Sequence, residues 1–211
     1  FATRNEATVN QRSIINNFEG YEKLYFIGGR SQFNNFSGLI NNIKGVKIYE
    51  EGKYASPKMN VWGISDKNLF LEANTEMAKQ QKPFFSIIQT ADNHRPFNIP
   101  EEDSDFIQQD IAADTLKKYG FESIKEFNAF AYTDYCFKKF MEAASKEDYF
   151  DNTIFVFVGD HGLRGEAGNL FPQSFTKQGI GAEHVPLLFY APSLLQPQRI
   201  QDVCSQLDIL P

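Results

Sequence analysis

The sequence is poor in cysteine, lacks runs of basic residues, and has no long apolar segment. Its two cysteines, Cys136 and Cys204, are too few for a disulfide scaffold and do not have the spacing of a zinc site. No apolar run approaches the roughly 20 residues that cross a membrane as a helix. The formal net charge is −6 and the basic residues form no stripe, which argues against a protein that binds nucleic acid.

Histidine is also scarce, and its placement is informative. The chain contains three histidines, and each lies at the edge of an apolar run: His94, His161 and His184. Ligands of open α/β sheets lie outside the carboxyl ends of the strands, so residues at strand edges can converge from distant positions in the sequence. A single histidine is more often an ordinary polar residue than a ligand. Three at strand edges favour a binding site.

The most informative motif is Gly-Asp-His-Gly at residues 159–162. The apolar run before it, from Thr153 to Val158, predicts a fully buried strand of a parallel sheet. Aspartate and histidine together bind divalent metals, and the flanking glycines let backbone and ligand approach closely. The pattern predicts a metal or catalytic role for Asp160 and His161. An aspartate turn with a capping histidine is the alternative.

Helical and strand periodicities alternate along the chain, which predicts an α/β fold with a mainly parallel sheet. At 211 residues one domain is the default. Strands are expected at residues 23–27, 46–49, 83–90, 153–159 and 185–190. Helices are expected at residues 12–19, 31–42, 66–80, 121–146 and 197–207. A polar loop is expected at residues 163–183, and the acidic residues 101–105 are expected to be solvated.

Three ordered segments carry a resemblance to a known family. They are Thr90-x-x-Asn-His-Arg-Pro-Phe97, Phe157-Val-Gly-Asp-His-Gly162 and His184-Val-Pro-Leu-Leu-Phe-Tyr-Ala-Pro192. Their order resembles the sulfatase-like branch of the alkaline phosphatase superfamily, and most of all its lipoteichoic-acid synthases and phosphoglycerol transferases. The resemblance spans Arg12 to Pro211. It implies a three-layer α/β/α fold around a mainly parallel central sheet.

The resemblance also implies roles for individual residues. Asp160 and His161 would be ligands of a divalent cation, Mn²⁺ first, with Mg²⁺ and Zn²⁺ as alternatives. His94 would be the catalytic histidine that faces the substrate's phosphate or its leaving group. Arg95 would contact an anionic oxygen, with an ordinary surface arginine as the alternative. His184 would bind substrate or add a further ligand, and its alternative is a polar residue at the edge of a strand.

Two departures from the family pattern are visible. The family's nucleophile (a threonine, a serine or a modified cysteine) and the acidic metal ligand of its first strand have no match here. Thr3 and Thr8 lie in a polar stretch without a preceding strand. We therefore expect a single sulfatase-like catalytic domain over residues 1–211, truncated at both ends and lacking the first strand, with little turnover on its own. Lipoteichoic-acid synthases also place a histidine, a tryptophan and an arginine where this chain has other residues: Ile27, Asn34 and Phe36.

By resemblance, the expected function is phosphoglycerol-type transfer, or hydrolysis of phosphodiesters or sulfate esters, at the bacterial cell envelope. The substrate would derive from a phospholipid or a glycan. The full-length protein would be membrane-anchored, with its catalytic domain on the extracytoplasmic face of the membrane. The alternatives are a catalytically degenerate domain that binds an envelope glycan or a lipid head group, and an α/β binding protein with fortuitous histidines.

Overall fold

The computed structural model describes residues 13–163 and 170–209. Its strands are β1 (Glu22–Ile27), β2 (Val46–Tyr49), β3 (Phe84–Gln89), β4 (Phe155–Val158) and β5 (Leu187–Tyr190). Its α-helices are α1 (Phe36–Ile40), α2 (Asp66–Ala78), α3 (Ala113–Lys118), α4 (Ile124–Ala144), α5 (Gln173–Lys177) and α6 (Ile180–Glu183). Short 3₁₀ helices lie at Ile14–Asn17, Phe33–Asn35, Phe150–Asn152 and Gln206–Asp208.

The first three strands form a parallel sheet in the order β2-β1-β3. Central β1 pairs with both neighbours, so that Leu24 lies opposite Lys47 on one side and Ser86 on the other. Parallel strands need a crossover between them, and α1 and α2 lie in the two connections. The predicted α/β class is confirmed.

Helices cover both faces of this sheet because successive side chains of β1 point to opposite sides. On one face, Leu24 and Phe26 lie in a buried cluster with residues of α2 and α4, among them Phe70 and Tyr132. On the other face, Tyr25 and Ile27 pack with Ile40 of α1. The predicted arrangement of helix, sheet and helix layers is therefore present.

Helix α4 is the longest element, and local sequence accounts for it. Its N-cap Ser123 accepts a hydrogen bond from the Glu126 N–H at 3.2 Å, which satisfies one of the free amides of the first turn. Its buried side chains recur at helical spacing along one face: Ala129, Tyr132, Cys136, Phe140 and Ala144. Helix α2 begins in the same way after N-cap Ser65.

The expectation for β4 is wrong in its pairing and in its burial. Strand β4 pairs antiparallel with β5 in a separate two-stranded sheet. Phe157 packs against Phe137 of α4 and Phe155 is buried, whereas Val156 and Val158 are exposed. An apolar run specifies a strand, but the partner strand and the number of covered faces depend on distant residues.

Other expectations fail near the chain ends. The expected helix at 197–207 is replaced by irregular chain and the 3₁₀ turn at Gln206–Asp208, because its apolar residues, including Ile200 and Val203, stay exposed. The expected loop at 163–183 contains α5 and α6. The expected helix at 12–19 is reduced to the 3₁₀ turn at Ile14–Asn17.

Some predicted features lie outside the described residues, namely Thr3, Thr8, the start of the first expected helix and residues 164–169 of the loop. Within residues 13–163 and 170–209, no helix combines the length and apolar character needed to span a membrane.

Candidate active site

Two of the predicted site histidines meet where their strands end. His94 follows β3 and His161 follows β4, and their ring centroids lie 6.2 Å apart with the rings nearly perpendicular. His94 is half-buried, whereas the His161 side chain is 56% exposed. Residues 67 positions apart in sequence thus share one side of the molecule, from which both imidazoles can reach a ligand.

Asp160 and His161 form a pair that fits part of a metal site. The His161 N–H donates to Asp160 Oδ1 at 2.9 Å, and His161 Nδ1 lies 3.1 Å from the Gly162 carbonyl oxygen. A proton on Nδ1 would be donated to that carbonyl and leave the Nε2 lone pair free, as in many metal-bound histidines. His161 Nε2 lies 3.8 Å from Asp160 Oδ2. Two ligands about 2.0–2.2 Å from one ion lie roughly 3–3.5 Å apart, so a small rotation would let both bind it.

This pair supplies two ligands at most. Among the residues that the structure describes, no three His, Cys, Asp or Glu side chains lie in a metal-binding group. A divalent cation needs four or more ligands, so Asp160 and His161 fit as one side of a larger coordination shell.

Two hydrogen bonds hold the backbone of the segment that carries Asp160 and His161. The Gly162 N–H donates to the Ala182 carbonyl at 2.6 Å, which ties the motif to α6. The Gln206 side-chain amide donates to the Gly159 carbonyl at 2.8 Å. A side chain at position 162 would meet the Gly181 carbonyl oxygen at 2.5 Å. The second glycine of the motif is therefore required by close packing, in addition to any ligand.

An aromatic side chain lies beside His94. The Trp62 ring centroid is 4.9 Å from that of His94, and the Trp62 Nε1–H donates to the Arg95 carbonyl oxygen at 2.7 Å. Phe33 meets the same indole edge-on at 5.2 Å. The indole is thus held by Phe33 and by the turn that bears His94, and it forms one wall of the site.

Close backbone packing places this indole. Gly63, at φ +111°, lies so near Gly28 that a Cβ atom would overlap the Gly28 carbonyl. A Cβ on Gly29 would come within 2.7 Å of the Trp62 carbonyl oxygen. Only glycine adopts this backbone conformation without strain and leaves room for the neighbouring chain. The Gly28-Gly29 break after β1 thus sets the position of Trp62.

Behind His94 lies a buried pair of carboxyl groups, Asp66 and Asp92, each at most 2% exposed. Asp66 accepts hydrogen bonds from the N–H groups of Ala91 (2.8 Å) and Asp92 (3.0 Å), and Asp92 accepts one from the Asp66 N–H at 2.6 Å. Burial raises the pKa of Asp66 to about 6. Burial and the charge of Asp66 raise the pKa of Asp92 to about 8.

A second buried network lies next to this pair. Asp103 is 3% exposed, forms an ion pair with Lys67 and accepts a hydrogen bond from the Tyr132 hydroxyl. The expectation that residues 101–105 are all solvated is therefore wrong for Asp103. A buried charge needs a partner of opposite sign. Lys67, which is distant in sequence, is that partner for Asp103.

The other two predicted site residues make their contacts elsewhere. The Arg95 guanidinium pairs with Glu122, and both side chains are mostly exposed. Such a surface pair contributes about 1 kcal/mol or less to stability. The His184 ring contacts Phe175 and Phe171 edge-on, with centroids 5.9 and 6.5 Å away. The structure thus brings His94, Asp160 and His161 together, and directs Arg95 and His184 to other partners.

Sequence reasoning missed Trp62, Asp66 and Asp92. Trp62 had a usable signal, since it is the single tryptophan of the chain and precedes a glycine. Asp92 lies two residues before His94, and Asp66 is the first residue of α2. Nothing local pairs positions 66 and 92, because their contact arises only from the crossing of two distant turns.

The parallel sheet covered by helices on both faces resembles that of the alkaline phosphatase superfamily. The structure of a protein of that superfamily from Vibrio parahaemolyticus superposes with a TM-score of 0.73 and 28% identity, covering 97% of this chain and 48% of that one. The lipoteichoic acid synthase LtaP of Listeria monocytogenes superposes with a TM-score of 0.68. At 18% identity over 87% of this chain and 46% of that one, the likeness to LtaP concerns the fold alone.

The family model described as Sulfatase matches residues 9–211, so the chain belongs to the sulfatase family. Its curated relatives include the lipoteichoic acid synthase-like protein YvgJ of Bacillus subtilis, 28% identical over 71% of this chain and 25% of that protein. Lipoteichoic acid synthase 1 of the same organism is 25% identical over 91% of this chain and 30% of that protein. The chain thus spans about a quarter to a third of the length of these curated relatives.

Proposed function

We propose that this chain is part of a metal-dependent enzyme that transfers or hydrolyses a phosphodiester or sulfate ester group at the bacterial cell envelope. Phosphoglycerol-type transfer is the reaction we favour. The similarity to proteins named lipoteichoic acid synthases and membership of the sulfatase family support this proposal. We further propose that the full-length protein is anchored in the membrane, with the site on the extracytoplasmic side.

The observation that carries the proposal is the meeting of His94 with Asp160 and His161 at the ends of β3 and β4. Asp160 and His161 offer a carboxylate and a free imidazole nitrogen to one ion. His94 faces the same space from another strand, so that its imidazole lies beside the position at which the ion would hold a phosphoryl or sulfuryl group.

Each residue of the site has a distinct proposed role in the transfer of the ester group. When bound, the divalent ion, for which Mn²⁺ is our first choice over Mg²⁺ and Zn²⁺, would polarise an oxygen of the group being transferred. His94 would donate a hydrogen bond to an oxygen of that group or to the leaving oxygen, and Trp62 restricts its orientation. Arg95 and His184 remain proposed substrate contacts that would require rotation away from Glu122 and from the two phenylalanines.

Metal binding tests this proposal first. We expect the full-length protein to bind Mn²⁺ saturably in calorimetric titration and in the electron paramagnetic resonance signal of free Mn²⁺. The Asp160→Ala, His161→Ala double variant should bind at least tenfold more weakly, because it lacks both ligands. Asp148→Ala is the matched control, since it removes an exposed carboxylate on another part of the surface, and its affinity should equal that of the parent.

Turnover then separates the reactions. The full-length protein should release alcohol from phosphodiesters or sulfate esters, and His94→Gln in it should lower the rate while Mn²⁺ affinity stays unchanged; residues 1–211 alone should show little turnover. Equal Mn²⁺ binding in parent and double variant would refute the assignment of Asp160 and His161. Absence of binding in both would favour a catalytically degenerate domain that binds an envelope glycan or a lipid head group.

A further inference from the structure

We infer that Asp66 and Asp92 are positioning residues for His94: their carboxyl groups form a reciprocal clamp that carries one proton and holds the turn bearing this histidine. Asp66 and Asp92 are called the carboxyl clamp below, and residues 91–97 the His94 turn. This inference relies on the proposed function only for the role of His94 in the reaction.

The clamp joins two segments through each other's backbone. Asp66 starts α2, and its two carboxylate oxygens take the N–H groups of Ala91 and Asp92 separately. Asp92 Oδ2 takes the N–H of Asp66 in return. Each carboxyl group therefore fixes the segment that carries the other, and loss of the acceptor oxygens of either releases the His94 turn from the start of α2.

The clamp is continuous with the backbone of His94 itself. The His94 N–H donates to the carbonyl of Ala91 at 3.0 Å, and the Phe97 N–H donates to the carbonyl of His94 at 2.8 Å. Ala91 is the residue whose own N–H is held by Asp66. The position of the imidazole opposite His161 thus depends on a chain of hydrogen bonds that begins at the clamp.

The two acids cannot both be ionised at low cost, because they are buried and in contact. Asp66 needs both of its oxygens as acceptors, so it is the ionised member. Asp92 uses one oxygen as an acceptor, and its buried Oδ1 has no hydrogen-bond partner among the described residues. A proton at this oxygen would remove the second charge, and burial together with the charge of Asp66 favours that proton.

The groups around the clamp are either neutral or already paired, so they do not take up the charge of this proton. Helix α4 presents Tyr132 and Cys136 to the clamp, and burial raises the pKa of both, so they stay neutral. Lys67 of α2 is the neighbouring cation, and it is paired with Asp103. On the turn itself, His94 and Arg95 are the other titratable groups, and Arg95 is paired with Glu122 at the surface. The charge state of the clamp therefore depends on Asp66 and Asp92 themselves.

Hydrogen exchange at the His94 amide provides the test, and it requires neither metal nor substrate. Opening of the turn would let Asp92 ionise, so the protection factor should fall by up to tenfold per pH unit between pH 6 and 8 and level off above. Asp92→Asn should remove this slope while keeping protection, because an amide accepts the Asp66 N–H and places its NH₂ group where the proton lies. Asp92→Leu, similar in size, should lose protection at every pH.

Asp66→Asn provides the asymmetric control. Its single acceptor oxygen can satisfy only one of the two amides that Asp66 holds, so protection of His94 should fall at least tenfold throughout the range. A pH slope that survives Asp92→Asn, or an Asp66→Asn variant that protects His94 as well as the parent, would overturn the inference. If Asp66→Asn does not fold, the comparison of the parent with Asp92→Asn still decides. A clamp that behaves as stated in a protein without Mn²⁺ binding would leave the inference intact and refute the proposed function alone.

Discussion

At the residue scale, the site is built by contacts that fix single side chains at the ends of strands. His94 contacts both the indole of Trp62 and the ring of His161. A half-buried imidazole between an aromatic wall and a second imidazole has few orientations open to it. This restriction is what a histidine needs if it is to meet one oxygen of a bound ester group.

The single tryptophan makes this contact measurable. Because the His94 ring packs against the indole at 4.9 Å between centroids, we expect His94→Gln to change the intensity of Trp62 emission. Steady-state fluorescence at a single pH measures the change. His184→Gln should leave the emission unchanged, since His184 contacts Phe171 and Phe175 instead. Equal emission from the parent and from His94→Gln would contradict the contact.

At the element scale, helices were predictable where the helical period is clear. Helices α2 and α4 lie within three residues of their predicted bounds, and each begins after a serine N-cap, Ser65 or Ser123. The parallel strands β1, β2 and β3 were likewise found at the predicted positions. By contrast, the pairing of β4 with β5 and the irregular chain at 197–205 depend on which faces are covered by other segments. A local pattern contains no such information.

The N-cap of α4 should have a measurable effect on stability. Ser123→Ala removes the acceptor for the Glu126 N–H, and we expect the free energy of unfolding to fall by about 1 kcal/mol. Urea unfolding followed by circular dichroism measures this, with an unchanged m-value. Ser123→Asp should restore stability, because its carboxylate accepts the same hydrogen bond. Ser145→Ala, at the exposed far end of the helix, should stay within about 0.5 kcal/mol of the parent. Equal losses at both ends would contradict the capping argument.

At the scale of the whole molecule, the sheet and the site depend on the same core. Helix α4 packs against α2, and its Phe140 and Phe137 contact Phe155 and Phe157 of β4. The two sheets are thus joined through one helix, which brings the end of β4 to the end of β3. Sequence could place histidines at strand edges. It could not show which of them meet, because the contacts of His161 and of His184 are made with residues of other segments of the chain.

The buried acids should also give the whole protein an unusual pH profile of stability. A carboxyl group whose pKa is raised on folding contributes most below its unfolded pKa, near 4, and its contribution is lost as the pH rises to the folded value. For Asp66 and Asp92 the folded values are about 6 and about 8. Asp105 acts in the opposite sense, since hydrogen bonds from Lys139 and Tyr135 lower its pKa to about 2. Its contribution is lost only as the pH falls below 4.

Between pH 4 and pH 8, Asp66 and Asp92 therefore determine how the stability changes with pH. We expect the melting temperature to be higher at pH 5 than at pH 8. The free energy of unfolding should fall by at most about 1.4 kcal/mol per pH unit for each proton. Scanning calorimetry of the parent and of Asp92→Asn measures it, and the variant should lose the slope between pH 6 and pH 8. Asp105→Asn, the control, should keep that slope and lower stability by a constant amount above pH 4, because the Asp105 contribution is lost only as the pH falls below that value. A parent whose stability rises from pH 5 to pH 8 would mean that Asp66 and Asp92 both ionise in the folded protein, and that the clamp holds His94 without a shared proton.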